Sequence, residues 1–86
     1  MNKNEFTWAK AGEWLKGLRE EWLLTRAELA EQVGAPSVNW LGEIEEGERA
    51  LATDLFKGFA RSFNMSVQDF AKTYAQKAHV DFEQAA

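Results

Sequence analysis

Residues 25–46 read TRAELAEQVGAPSVNWLGEIEE, and the punctuation of this stretch decides the fold. Thr25, with Glu28 three positions on, forms a capping box. The hydroxyl serves one unpaired amide of a helix's first turn, and the carboxylate reaches back to another. Leu29, Ala30 and Val33 follow at helical spacing, and Gly34 with Pro36 ends that helix early. Ser37 then caps a second short helix carrying Leu41 and Ile44, which Gly47 stops. Two short helices joined by a tight turn make a helix-turn-helix over about residues 25–46.

Helical spacing continues on both sides. At about 100° per residue, Ala11, Leu15, Leu18 and Trp22 share one stripe, with Trp8 and Trp14 at its edges. This predicts a helix over 7–22 with Thr7 as its N-cap. Downstream, Phe56, Phe59, Ala60 and Phe63 give a fourth helix. Ser66 with Asp69 opens a fifth, which places Val67, Phe70 and Tyr74 inward. No segment alternates with the period of a strand. The expectation is an all-α, five-helix domain over residues 1–78, followed by a tail, 79–86, that extends the last helix or frays.

Composition narrows the function. A chain of 86 residues fits one core. It has no cysteine and a single histidine, His79, so neither a disulfide framework nor a zinc site is expected. No nucleophile motif and no glycine-rich phosphate loop is present, so no catalytic residue, metal or cofactor is assigned. No apolar run approaches the roughly 20 residues of a membrane span. The opening MNKNEFTWAKAGEW lacks a signal peptide's apolar stretch, so a cytoplasmic location without membrane contact is expected. The formal charge of −4 weighs against a nucleic-acid partner, although a local basic patch can coexist with it.

The run AGEWLKGLREEWLLTRAELAEQVG, then NWLGEIEEGERA and LFKGFARSFNMSVQDF, resembles the lambda-repressor/Cro-like (xenobiotic-response-element type) helix-turn-helix family. The resemblance covers roughly residues 11–70 and implies a DNA-binding regulator acting on a promoter. It pairs Arg19 with Glu45 as a structural contact between the first helix and the end of the recognition helix. It also shows a departure: one additional residue lies between Gly34 and Ile44, best placed in the Ala35–Pro36 turn.

In this family the second helix of the motif enters the major groove. The resemblance therefore makes Val38, Asn39 and Glu43 the base readers, with Ser37 at the backbone. Asn39 can serve adenine, Val38 a thymine methyl, and Glu43 the amino group of cytosine. Arg26 and Arg49 fall at phosphate-facing positions, with Lys10, Lys16 and Lys57 as weaker candidates. Trp40 either stacks along the DNA backbone or covers the turn. Acidic Glu43, Glu45, Glu46 and Glu48 crowd the same helix end and oppose phosphate.

Four tryptophans in so short a chain need a further reading. Trp8 and Trp22 are expected in the core. Trp14 and Trp22 stand where relatives carry polar residues, and Leu23, in place of the usual glycine, together with Leu55 adds apolar surface. Together they point to a face covered by a protein partner or second subunit. A homodimer matching a palindromic operator is expected, with Phe70, Tyr74, His79, Val80 and Phe82 contributing to its two-fold contact. The resulting reading is a small, nucleoid-associated dimeric repressor of prokaryotic or phage type. The alternative is an antitoxin or protein-interaction module with weak DNA affinity.

Overall fold

The computed structural model describes residues 8–85, with side chains described through residue 78. Among the described residues five α-helices follow one another: α1 (Ala9–Glu21), α2 (Arg26–Val33), α3 (Val38–Glu45), α4 (Phe56–Ser62) and α5 (Val67–Ala85), with a 3-10 turn (Thr53–Leu55) before α4. There is no strand among the described residues. α1 packs on α3 and α5, α2 on α3 and α4, and α4 on α5.

Local chemistry sets the helix boundaries. Thr25 Oγ1 accepts from the Glu28 amide at 3.1 Å, and Glu28 Oε1 accepts from the Thr25 amide at 2.8 Å, so the capping box is complete. Ser37 and Ser66 cap α3 and α5 through the amides of Trp40 and Asp69, each at 3.0 Å. Thr7 lies outside the described residues; the N-cap position of α1 is held by Trp8, without a side-chain cap.

One device ends the first four helices. After each, a residue takes a left-handed conformation and two amides turn back onto the last carbonyls, the paired pattern of a Schellman motif. Leu24 donates to the Arg19 carbonyl and Leu23 to Glu20. Ala35 donates to Ala30 and Gly34 to Glu31; Glu48 to Glu43 and Gly47 to Ile44; Met65 to Ala60 and Asn64 to Arg61. The left-handed residues are Leu23 (φ 59°), Gly34 (73°), Gly47 (79°) and Asn64 (56°). At Gly34, Gly47 and Asn64 the residue type suits that conformation, whereas at Leu23 a Cβ makes it costly by about 1–2 kcal/mol.

The core forms where the helices' apolar stripes meet, with Phe59, Phe70, Leu15, Leu29, Leu41 and Ile44 fully buried. Phe70 is its aromatic centre. It stacks on Tyr74 and Phe59, lies 5.4 Å from Trp14, and takes Phe56 edge-on. Trp8 stacks on Tyr74 at 5.8 Å. The Tyr74 hydroxyl accepts the Leu51 amide at 2.9 Å, which fastens the loop between α3 and α4 to α5. Burial pushes the Tyr74 phenol above its ordinary value, with the Leu51 amide acting in the opposite direction.

Several sequence expectations are corrected here. Trp22 lies beyond the last residue of α1 and is half exposed, because the 100° rotation that placed it inward stops at Glu21. Leu55, expected to add apolar surface, is half-buried against the core, and Val67 at the start of α5 is exposed rather than inward. Phe70 and Tyr74 are buried within the domain, so neither is available to a two-fold contact. The side chains of His79, Val80 and Phe82 lie outside the described ones, while the backbone of α5 runs on through Ala85. Among the described residues no helix is long and apolar enough to cross a membrane.

Candidate nucleic-acid interface

α2, the four-residue connection from Gly34 to Ser37, and α3 form the helix-turn-helix. Gly34 turns the chain, and Pro36 precedes the serine that starts α3. The turn thus closes α2 at Gly34 and leaves the Ser37 cap of α3 intact. α3 has two unlike sides. Leu41, Ile44 and Glu45 are buried. Val38 and Asn39 are exposed, Glu43 is half exposed, and Glu46 follows at the C-cap. Together with Arg26 and Gly42 they line a notch of about 240 Å³ between the start of α2 and α3.

Glu45 organises the buried side. Its side chain is wholly inaccessible, yet its two oxygens accept three guanidinium hydrogen bonds. Arg19 donates through Nε at 2.7 Å and Nη2 at 3.2 Å, and Arg26 donates through Nε at 2.9 Å. Arg19 Nη1 also donates to the Leu24 carbonyl at 2.8 Å. One carboxylate thus joins the C-terminal part of α1, the first residue of α2 and the last of α3. Burying a carboxylate without partners is prohibitive; this one is saturated.

Arg26 is more than a surface cation. Its guanidinium lies across Gly42, where a Cβ would stand 3.0 Å from Nη1. The hydrogen bond to Glu45 raises its pKa above the ordinary guanidinium value, partly offset by desolvation. Its Nη2 reaches Glu46 Oε2 at 3.4 Å. On the same outer side of α3, Arg49 Nε donates to Glu43 Oε1 at 2.7 Å, both side chains being about half exposed.

The expected site residues therefore divide. Ser37, Val38, Asn39, Glu43 and Arg26 are brought together on or beside α3, and Arg49 joins them through Glu43. The Ser37 oxygen serves as the helix cap, which leaves its O–H to donate elsewhere. Trp40 is half-buried and packed on the core. Lys57 belongs to another notch, with Ala60, Arg61 and Asn64, and Lys10 to one with Glu13, Trp14 and Lys77. Glu43 and both arginines are already engaged in ion pairs, which their types and spacing did not announce.

Two glycines escaped the sequence reading. Gly12 of α1 lies directly against the carbonyls of Ile44 and Glu45, and this sets the closest approach of α1 to α3. Gly42 is the seat of Arg26. A glycine in the middle of a short helix costs about 1 kcal/mol relative to alanine, and that cost was the available signal for a close approach.

These elements define the class: an all-α helix-turn-helix domain. Compared with known proteins, the chain matches no family model and no curated protein. Among solved structures it is similar to the clp gene regulator ClgR from Corynebacterium glutamicum, with 24% identity and a TM-score of 0.69 over 91% of this chain and 82% of that one. A likeness at this identity carries the fold.

Proposed function

We propose that this chain is a sequence-specific DNA-binding transcriptional regulator that inserts the first turn of α3 into the major groove. The observation that carries the reading is the outward display of Val38 and Asn39 from a serine-capped helix start, with the Arg26 guanidinium fixed beside them. Asn39 suits adenine and Val38 a thymine methyl, while Arg26, Arg49 and the Ser37 hydroxyl suit phosphates. The similar fold belongs to a gene regulator, which supports the same class. The sequence motifs extend the reading to a lambda-repressor/Cro-like, non-catalytic repressor that acts in the cytoplasm, at the nucleoid, as a homodimer on a palindromic operator.

Selection of bound sequences from a random duplex pool, followed by anisotropy titration across salt concentrations, tests this. The expected result is a recovered palindrome bound with steep salt dependence. Asn39→Ala should lower discrimination at one base position by about 1–3 kcal/mol. No enrichment at low salt would refute the reading.

A protein-binding function has one observation in its favour. Leu23 is 88% exposed and Trp22 48% exposed, adjacent at the α1–α2 corner, and Leu23 holds a left-handed conformation there. A regulator that also meets a partner protein, as an antitoxin does, would use this corner and leave α3 free.

A further inference from the structure

The recognition side of α3 presents an electrostatic puzzle. Phosphate binding needs cations, yet its two arginines each carry a carboxylate from the same helix end. Glu45 can be set aside, because it is buried and saturated by Arg19 and Arg26. What remains outside is Arg49 with Glu43 and Arg26 with Glu46, two positive and two negative side chains whose charges cancel. Both pairs are solvent-accessible at their acidic ends, with Glu43 at 40% and Glu46 at 58% exposure. Accessible pairs of this kind contribute little to stability and exchange partners readily. A DNA phosphate offers each arginine the same oxygen chemistry, with the polyanion's field behind it.

We propose that Glu43 and Glu46 are internal counter-ions, which hold Arg49 and Arg26 in the free protein and yield them to two DNA phosphates on binding. This inference rests on the DNA-binding reading above and changes the role of one residue within it. Glu43 sets the affinity of the whole face for duplex and does not read a base. Its Oε1 is held by Arg49 Nε at 2.7 Å, so the carboxylate's first partner in the free protein is a guanidinium rather than a base edge. The carboxylates thereby impose a uniform penalty on every duplex, which only sites with good contacts from Val38 and Asn39 overcome. An acidic chain with two arginines on its reading face is thus kept off non-specific DNA.

A double-mutant cycle on the full chain tests this, using the selected operator and a scrambled duplex of equal length. Glu43→Gln should tighten binding about two- to five-fold on both duplexes. The gain should vanish in the Arg49→Ala background, because no cation is left to release. Glu46→Gln should tighten binding likewise on both duplexes; because Arg26 also holds buried Glu45, the arginine arm of the cycle is read at Arg49, with thermal melts showing that each variant is folded. A Glu43→Gln effect confined to one base position would make Glu43 a reader and overturn the proposal. A gain that persists undiminished without Arg49 would show general repulsion and overturn it equally. Either result leaves operator binding by the wild-type chain intact, so the DNA-binding reading would stand. Absence of binding by wild type and variants alike would remove both.

Discussion

The two sides of α3 use the same chemistry to opposite ends. Inside, Glu45 is sealed from water and shared by Arg19 and Arg26. Outside, Glu43 and Glu46 meet Arg49 and Arg26 in solvent. The carboxylate and guanidinium groups are alike, and burial alone separates them. A buried pair cannot lose one partner without stranding the other, whereas an exposed pair hands the lost partner's role to water. The inner contacts therefore hold the three helices in place, and the outer ones are free to serve a ligand.

The sharpest way to break this contrast is to delete one arginine from each side. Arg19→Ala should destabilise the domain by about 3–5 kcal/mol in urea unfolding, since Glu45 is left underpaired in the interior. Arg49→Ala should shift the same curve by about 0–1 kcal/mol. Similar shifts for both would abolish the distinction between the two sides.

Glycine gives a second contrast. Gly12→Ala places a methyl group against the Ile44 and Glu45 carbonyls, forcing α1 away from α3. It should cost about 1–3 kcal/mol by calorimetry. Gly42→Ala lies on the other side of α3, where the atom in the way is the end of a flexible side chain. It should gain up to about 1 kcal/mol through helix propensity, offset by whatever the shift of Arg26 costs its bond to buried Glu45, while the proposed DNA contact of Arg26 weakens. A loss of affinity with stability changed by less than about 1 kcal/mol would separate a role in positioning Arg26 from a purely structural one.

The smallest effect concerns the α1–α2 corner. Leu23→Gly removes the left-handed strain and the exposed side chain together. Its melting temperature should rise, corresponding to a gain of up to about 1 kcal/mol, offset by the glycine's freedom in the unfolded chain. Size-exclusion elution compared with wild type would show whether self-association depends on this corner.

Much of the fold was legible in residues 25–47. Thr25, Glu28, Gly34, Ser37 and Gly47 act on amides and carbonyls only a few positions away, so their chemistry can be read along the chain. The same locality explains the error at Trp22: helical phase predicts a face only while the helix lasts, and the helix stops one residue earlier. Phe70 and Tyr74 were placed on the inner side of α5, but nothing local distinguishes burial within one chain from burial between two.

The sequence by itself determined the helices, their caps and the position of the turn, because hydrogen bonds within a few residues decide them. The resemblance pairs Arg19 with Glu45; only the tertiary structure decided that Arg26 shares that carboxylate and that Arg49 takes Glu43. Arg19 and Arg26 lie 26 and 19 positions from Glu45, and their distances depend on how α1, α2 and α3 cross. That crossing is set by side-chain volume at contacts such as Gly12, which no pattern of residue types along the chain encodes.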